Sequence, residues 1–537
     1  MSLAIALAGT GAVAAAAPGA IAAPSIEYSQ LAPMLVVFSA AVIGVLVEAF
    51  VPRELRRAIH LLLTFGALVA AFVWTCVIAA SSTIFAKGSA GHVAAMGAVA
   101  VDRPTLFIQG TILVLAAVSV LLIADASHDV SSFAGQAAAV PGSTEERAGL
   151  LAGLVHTEIY PLTLFAVGGM LLFPAANDLL TMFVALETLS LPLYLLCGLA
   201  RRRRLLSAEA AMKYFLLGAF SSAFFLFGIA MLYGYSGSVS LASIASEAST
   251  GAGSDTLLFA GIGLTGVGLL FKIGAVPFQS WKPDVYQGAP TPITALMASC
   301  TVVSAFGALI RVFYVAFGTL TWDWRPAMWV VAILTMVAGA VIAITQTDVK
   351  RLLAYSSIAH AGFILTAVIS ASVQGLSSSL FYLATYGLST IGAFAVITLV
   401  RDPGGEADHL SRWAGLGKRS PLVAGLFALF LITFAGIPLT SGFMGKFAVF
   451  QAAVNGGATP LVIVGVVSSA IAAFFYVRVI VLMFFSDPVP DGPKVAVPSV
   501  FTGTAVALGA LSAVVLGIFP WPVLALASRA ASQLFVR

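Results

Sequence analysis

Leu269-Leu270-Phe271-Lys272-Ile273-Gly274-Ala275-Val276-Pro277-Phe278 places a lysine, then a proline, inside an apolar run long enough to cross a bilayer. Phe434-Ala435-Gly436-Ile437-Pro438, followed by Ser441-Gly442 and Lys446, does so again. Proline removes a backbone donor and clashes with the preceding turn. In a bilayer the freed carbonyls need partners, so such breaks face a polar cavity. A charge near the bilayer centre costs about 2.5–3.5 kcal/mol on insertion scales. Helices broken at Pro277 and Pro438, each carrying a lysine, point to a polytopic helical membrane protein built around a charged interior.

The composition agrees. Of 537 residues, 60% are hydrophobic and 9% charged, too apolar for a soluble core of this size. The formal charge of +4 is too small to suggest a nucleic-acid partner. Cys76, Cys197 and Cys300 are far apart and form no CxxC pair, which argues against iron–sulfur or zinc ligation. No GxGxxG follows a strand-like segment, and Gly445-Lys446 is followed by Phe447 where a phosphate-binding loop needs Ser or Thr. The chain therefore shows no nucleotide, flavin or metal site of its own. The bilayer is its obligatory partner.

Apolar stretches fall at roughly 31–51, 58–80, 104–124, 157–174, 178–199, 208–233, 257–280, 290–317, 326–346, 350–371, 376–400, 423–453, 459–485 and 500–525, about 14 spans. Residues 1–30 read as a retained apolar extension without the basic start of a secretory signal. Alternate loops hold 16 basic residues, among them Arg53, Arg56, Arg57, Arg201 to Arg204, Lys282, Lys350 and Arg351. The opposite loops hold six at most, counting Arg311. The rich side is assigned to the cytoplasm, which puts both termini outside. The broken spans, seventh and twelfth, lie five apart. That offset suggests an inverted repeat of spans 4–8 and 9–13, giving segments 31–150, 151–320, 321–486 and 487–537.

Glu187 and Lys213 lie in neighbouring spans, and antiparallel packing can bring them together. Burial disfavours the charged form of either group, and an approaching opposite charge restores it. Moving a carboxylate near Lys272 therefore changes whether that lysine holds a proton. A structural ion pair locking two helices is the plain alternative for Glu187 with Lys213. It explains Lys272 and Lys446 poorly, because neither has an acid in its own apolar stretch. His360 can pass a proton through its two nitrogens, and Tyr355, Ser356 and Ser357 make its surroundings wetter. Asp348, Lys350 and Arg351 read as a solvated cap. Pro277 to Pro292 reads as an ordered connection at the membrane surface.

Taken together, Val184 to Glu187, Leu189 to Tyr194, Glu209 to Phe215, Phe271-Lys272 with Val276 to Phe278, Trp281 to Pro292, Lys350 to Ser357 with His360, and Gly436 to Lys446 resemble the antiporter-like membrane subunits of respiratory complex I. The likeness spans roughly residues 150–480. It implies about 14 helices with helices 7 and 12 broken. It also implies proton translocation coupled to quinone reduction in partner subunits that carry the flavin and iron–sulfur clusters, in a bacterial cell membrane. By resemblance Glu187 and Lys213 are the helix-5 and helix-6 pair, Lys272 the helix-7 lysine, His360 a member of the central polar axis, and Lys446 the exit-side lysine. One departure stands out. Where the family commonly carries a helix-8 lysine, nine residues before Arg311, this chain has Val302. Water held by Thr301, Ser304 and His360 is the expected bridge. A subunit of a multi-subunit cation/proton antiporter is the competing reading, and a scaffold whose buried charges only hold helices together is the third.

Overall fold

The computed structural model describes residues 26–82, 84–85, 90–125, 132–133, 143–145, 148, 156–251 and 253–536. Residues 1–25, and Lys87, Arg147 and Arg537, which are among the loop basic residues counted above, lie outside the described residues.

The fold is helical throughout. α1 (Tyr28–Phe50), α2 (Arg53–Ala79) and α3 (Arg103–Ala124) precede α4 (Ile159–Leu172), α5 (Leu179–Cys197) and α6 (Arg204–Ser236). A short amphipathic α7 (Leu241–Thr250), not foreseen from the hydropathy, leads into α8 (Asp255–Ile273) and α9 (Trp281–Gly288). The continuous helical run α10 (Thr291–Ala316) follows. Then come α11 (Thr321–Ile344), α12 (Val349–Ile369), α13 (Val373–Leu399), α14 (Pro421–Ala435), α15 (Ser441–Asn455), α16 (Thr459–Phe485), α17 (Val500–Ile518) and α18 (Trp521–Ala531). Among the described residues, 12 helices are long and apolar enough to cross a membrane, with shorter apolar helices at Ile159–Ala175 and Pro421–Ala435. The last apolar stretch ends at Ile518, and the chain then turns into α18.

Short strands tie the helix ends together. β1 (Gly91–Ala94) pairs antiparallel with β2 (Val99–Asp102). β3 (Val400–Asp402) lies between β4 (Gly405–Glu406) and β5 (Lys494–Val495). Side-chain caps close several helix starts: Asp178 accepts from Thr181 N, Asp348 from Lys350 N and Arg351 N, and Thr440 from Phe443 N. Each such cap contributes about 1 kcal/mol.

The core sits around α10, α12 and α13. The spanning window of α10 is wholly buried and those of α12 and α13 are 94% buried, whereas α2 and α16 are 33% buried. The outer helices thus present apolar faces to lipid, and the central three form the protein interior. Small residues allow this packing: a Cβ on Gly339 would lie 2.6 Å from Ala359 N, so α11 and α12 touch backbone to backbone.

Candidate functional site

Both broken spans are built alike. α8 ends at Gly274 (φ 79°) and α14 ends at Gly436 (φ 81°), left-handed conformations that a side chain resists. Pro277 and Pro438 lie in the gaps before α9 and α15. Each gap strands the last carbonyls of the first half-helix, where the helix dipole is negative. In the second break Lys446 answers them: its Nζ donates to Phe434 O at 2.9 Å, Ala435 O at 2.9 Å and Ser469 Oγ at 2.7 Å. In the first, Nζ of Lys282 donates to Ile273 O at 3.0 Å, and Trp281 Nε1 donates to Phe271 O at 2.9 Å.

Lys282 corrects the sequence reading. It was counted among the loop residues that set topology, yet it is fully buried, and Trp281, Val285 and Tyr286 beside it are buried too. From Trp281 onward the segment is therefore an interior half-helix and not a surface connection, while Pro277 and Ser280 before it are exposed.

Lys272 occupies the last turn of α8, buried, donating to Ser190 Oγ at 2.7 Å and Tyr214 OH at 3.2 Å. Glu187, one turn from Ser190 on α5, faces Lys272 electrostatically, and its buried Oε1 makes no hydrogen bond among the described residues. The expected Glu187–Lys213 contact is not made. Lys213 instead holds Glu209 and Asp284, each at 2.7 Å, with its side chain 40% exposed. Asp284 also binds Arg351 at 2.5 Å, so this network lies at the rim of the fold.

His360 lies beside Lys446. Its Nδ1 is 2.6 Å from Tyr382 OH and its Nε2 3.4 Å from Tyr476 OH. Its ring stacks on Tyr386 at 4.7 Å and meets Phe434 at 5.8 Å. Ser356 bonds Tyr476, and the Ser357 hydroxyl is buried. Tyr355 is half-buried and makes no hydrogen bond to His360 among the described residues. Ser304 donates to Met170 O at 2.8 Å, toward α4, and Thr301 is buried with its hydroxyl unpartnered among the described residues. No hydrogen bond joins either residue to His360 among the described residues.

Lys350 also departs from expectation. It is buried and reaches Glu406 at 3.4 Å and Asp408 at 4.0 Å, with Arg203 on Asp408 from the other side. In the loop after β4, burial pushes the Asp408 carboxyl up to about 6 against the pull of Lys350 and Arg203. Arg201 to Arg204 are thus not a simple anchor, because Arg202 and Arg203 clamp the segment around β4.

Residues 176–472 match the family described as NADH:quinone oxidoreductase/Mrp antiporter, TM. NADH-quinone oxidoreductase subunit N of Rhodococcus opacus is 63% identical over 532 residues, covering 95% of this chain and 97% of that one. The chain belongs to the NADH-quinone oxidoreductase subunit N family. The subunit N of Mycobacterium tuberculosis is 56% identical, covering 95% of this chain and 99% of that protein. Among solved structures, a chain of respiratory complex I from Thermus thermophilus with bound Aureothin superposes with a TM-score of 0.72 at 32% identity, covering 92% of this chain and 99% of that one. A chain of the Mrp complex from Dietzia has a TM-score of 0.78 at 21% identity, covering 95% of this chain and 98% of that one, and shares the fold.

Within this subunit N chain, the glycine that ends each half-helix lies directly over a lysine stem. A Cβ on Gly436 would approach Lys446 Cδ to 2.8 Å. Gly436→Ala is therefore expected to displace Lys446 and to cost about 1–2 kcal/mol of left-handed strain. A thermal melt of the purified protein checks this, and an unshifted melting temperature contradicts it. The sequence offers a signal for Lys282 as well: it follows Gly274 by eight positions, as Lys446 follows Gly436 by ten.

Proposed function

We propose that this chain is a proton-translocating subunit in the membrane arm of NADH:quinone oxidoreductase. Its task is to couple quinone reduction in other subunits to proton transfer through Glu187, Lys272, His360 and Lys446. One observation carries the reading: two ammonium groups are buried at broken helix ends, each held by neutral oxygens and not by a bonded carboxylate. An ammonium held only by neutral oxygens has no bonded counter-charge to fix its proton in place.

Glu187 supplies the movable negative charge. Lys213, with Glu209, Asp284 and Arg351, forms the charged rim from which Glu187 and Lys272 are reached. His360, bonded to Tyr382 and in contact with Phe434, whose carbonyl holds Lys446, links the central helices to that lysine. Redox chemistry belongs to partners bearing flavin, iron–sulfur clusters and quinone, with other membrane subunits as neighbours. The inverted repeat, with halves 151–320 and 321–486, and termini on the outer face of the bacterial membrane complete the reading.

The fold likeness to the Mrp chain favours a second reading, a subunit of a cation/proton antiporter. Copurification in mild detergent separates the two. Flavin- and iron–sulfur-bearing polypeptides are expected to come with the chain; sodium-dependent transport without redox partners would replace the first reading with the second. A further expected result concerns the centre of the track. His360→Phe keeps the ring stacking and removes both nitrogens, so pumping in membrane vesicles should fall severalfold while the complex still assembles. Unchanged pumping would remove His360 from the pathway.

A further inference from the structure

Four features single out Lys282. It is fully buried, its ammonium donates to one backbone oxygen, Ile273 O at 3.0 Å, and no carboxylate lies within ion-pair distance of it among the described residues. It occupies the same place in the first break that Lys446 occupies in the second. A Cβ on Gly274 would meet Lys282 Cδ at 2.7 Å, and one on Gly436 would meet Lys446 Cδ at 2.8 Å. A helix C-terminus can be closed by a neutral donor, so the dipole alone does not call for a buried ammonium here.

Lys282 also stands at the head of a row of aromatic rings and hydroxyls. Its Nζ is 5.7 Å from the centre of the Tyr286 ring. The Tyr286 and Tyr386 hydroxyls both face the buried Ser357 hydroxyl. Tyr386 stacks on His360, which leads to Tyr382 and the cavity lined by Thr433 and Ser441 beside Lys446. Both Lys282 and Lys446 act electrostatically on His360, which places the imidazole within the field of each. On the other side, Trp281 stacks on Tyr214 at 4.8 Å, and Tyr214 OH accepts from Lys272. Lys282 is thus placed between the Lys272 site and His360. Helix α10 offers no charge on that route, with Val302 where a lysine would otherwise stand and Ser304 turned to Met170.

We propose that Lys282 carries the proton across the centre of this chain, between Lys272 and His360. The transfer is a relay of one proton. Neutral Lys282 accepts it from the Lys272 side, becomes an ammonium on the Ile273 carbonyl, and releases it through the Tyr286–Ser357–Tyr386 hydroxyls toward His360, returning to the amine. The proposal rests on the reading of the chain as a proton-translocating subunit.

The test uses the whole complex in inverted membrane vesicles, reading NADH-driven acidification against the amount of assembled complex. Lys282→Arg keeps a charge and a donor for Ile273 O but does not release its proton in a protein. Loss of most acidification with normal assembly is expected; wild-type acidification overturns the proposal. Lys282→Met should lose acidification as well, and the double variant Lys282→Met with Val302→Lys should regain part of it. A lysine at Val302 replaces a carrier but does not replace a helix cap. If the double variant assembles and stays as inactive as Lys282→Met, Lys282 is a structural cap and the proposal falls. Should the Met variants fail to assemble, the arginine variant alone decides. Lys272→Met is the control: if it pumps normally, the underlying reading fails, whereas Lys282→Arg pumping normally beside an inactive Lys272→Met defeats only the role of Lys282.

Discussion

Replacing Lys272 by methionine is expected to lower proton translocation by about tenfold or more while leaving the amount of assembled complex near normal. A positioned proton carrier is worth at least that much. Assembly should survive because methionine fills nearly the volume of the lysine stem. Lys272 is bonded to neutral hydroxyls, so its removal breaks no hydrogen-bonded ion pair. Ser190 keeps its bond to Leu186 O after the exchange, and Ser190 and Tyr214 each lose the Lys272 donor. Lys272→Arg sharpens the test. The guanidinium stays charged under all working conditions, so a role limited to holding Ser190 and Tyr214 would survive it and a role in giving up a proton would not. Quinone reduction should slow with pumping, because a coupled machine stalls when its proton step is blocked. The measurement is vesicle acidification per NADH oxidised, normalised to assembled complex. Full pumping by both variants would leave the scaffold reading standing, with Lys272 serving only to hold α5, α6 and α8 together.

The same residue shows what a sequence discloses and what it hides. Lys272, Lys446 and His360 were visible because each is polar against an apolar background, and bilayer energetics makes such an exception conspicuous. The helix breaks were visible for the same kind of reason, since proline inside a span has a local and predictable cost. Lys282 was hidden by its neighbours. Trp281-Lys282-Pro283-Asp284 has the look of a polar connection, and only tertiary packing folds it inward beneath Gly274. Lys213 erred in the other direction. Proximity in neighbouring spans suggested Glu187 as its partner, but Glu209, one turn back on its own helix, and Asp284, brought in by the hidden half-helix, both outcompete it. Lys350 and Arg203 illustrate a third limit. Their shared acids Glu406 and Asp408 lie in a loop far along the chain, and no local pattern announces a contact of that sequence separation.

The second large effect lies away from the proton line, at a charge pair that the sequence did not suggest. Arg311 and Asp102 are both wholly buried and 2.7 Å apart. Arg311 Nε also donates to Pro174 O at 2.7 Å, and its guanidinium lies 4.5 Å from the centre of the Phe535 ring. Asp102 caps α3 through Thr105 N at 3.0 Å and accepts from Val536 N at 3.1 Å. One ion pair therefore fastens the end of α10, the start of α3 and the C-terminal segment. Removing one member leaves the other charged and dry, which costs about 3–5 kcal/mol. The two members are not equivalent. Without Arg311, Asp102 still accepts from two backbone amides and the Thr105 hydroxyl. Without Asp102, Arg311 keeps Pro174 O and the Thr105 hydroxyl, and its Nη1 already lacks a hydrogen-bond partner among the described residues. Asp102→Ala should therefore reduce assembled complex more than Arg311→Met. The double variant should recover much of the loss, because no buried charge is then left unpaired. Assembled complex measured across the four proteins of this cycle gives the answer. A double variant as impaired as the sum of the two singles would mean that the helices are held by packing at this corner and that the ion pair is incidental.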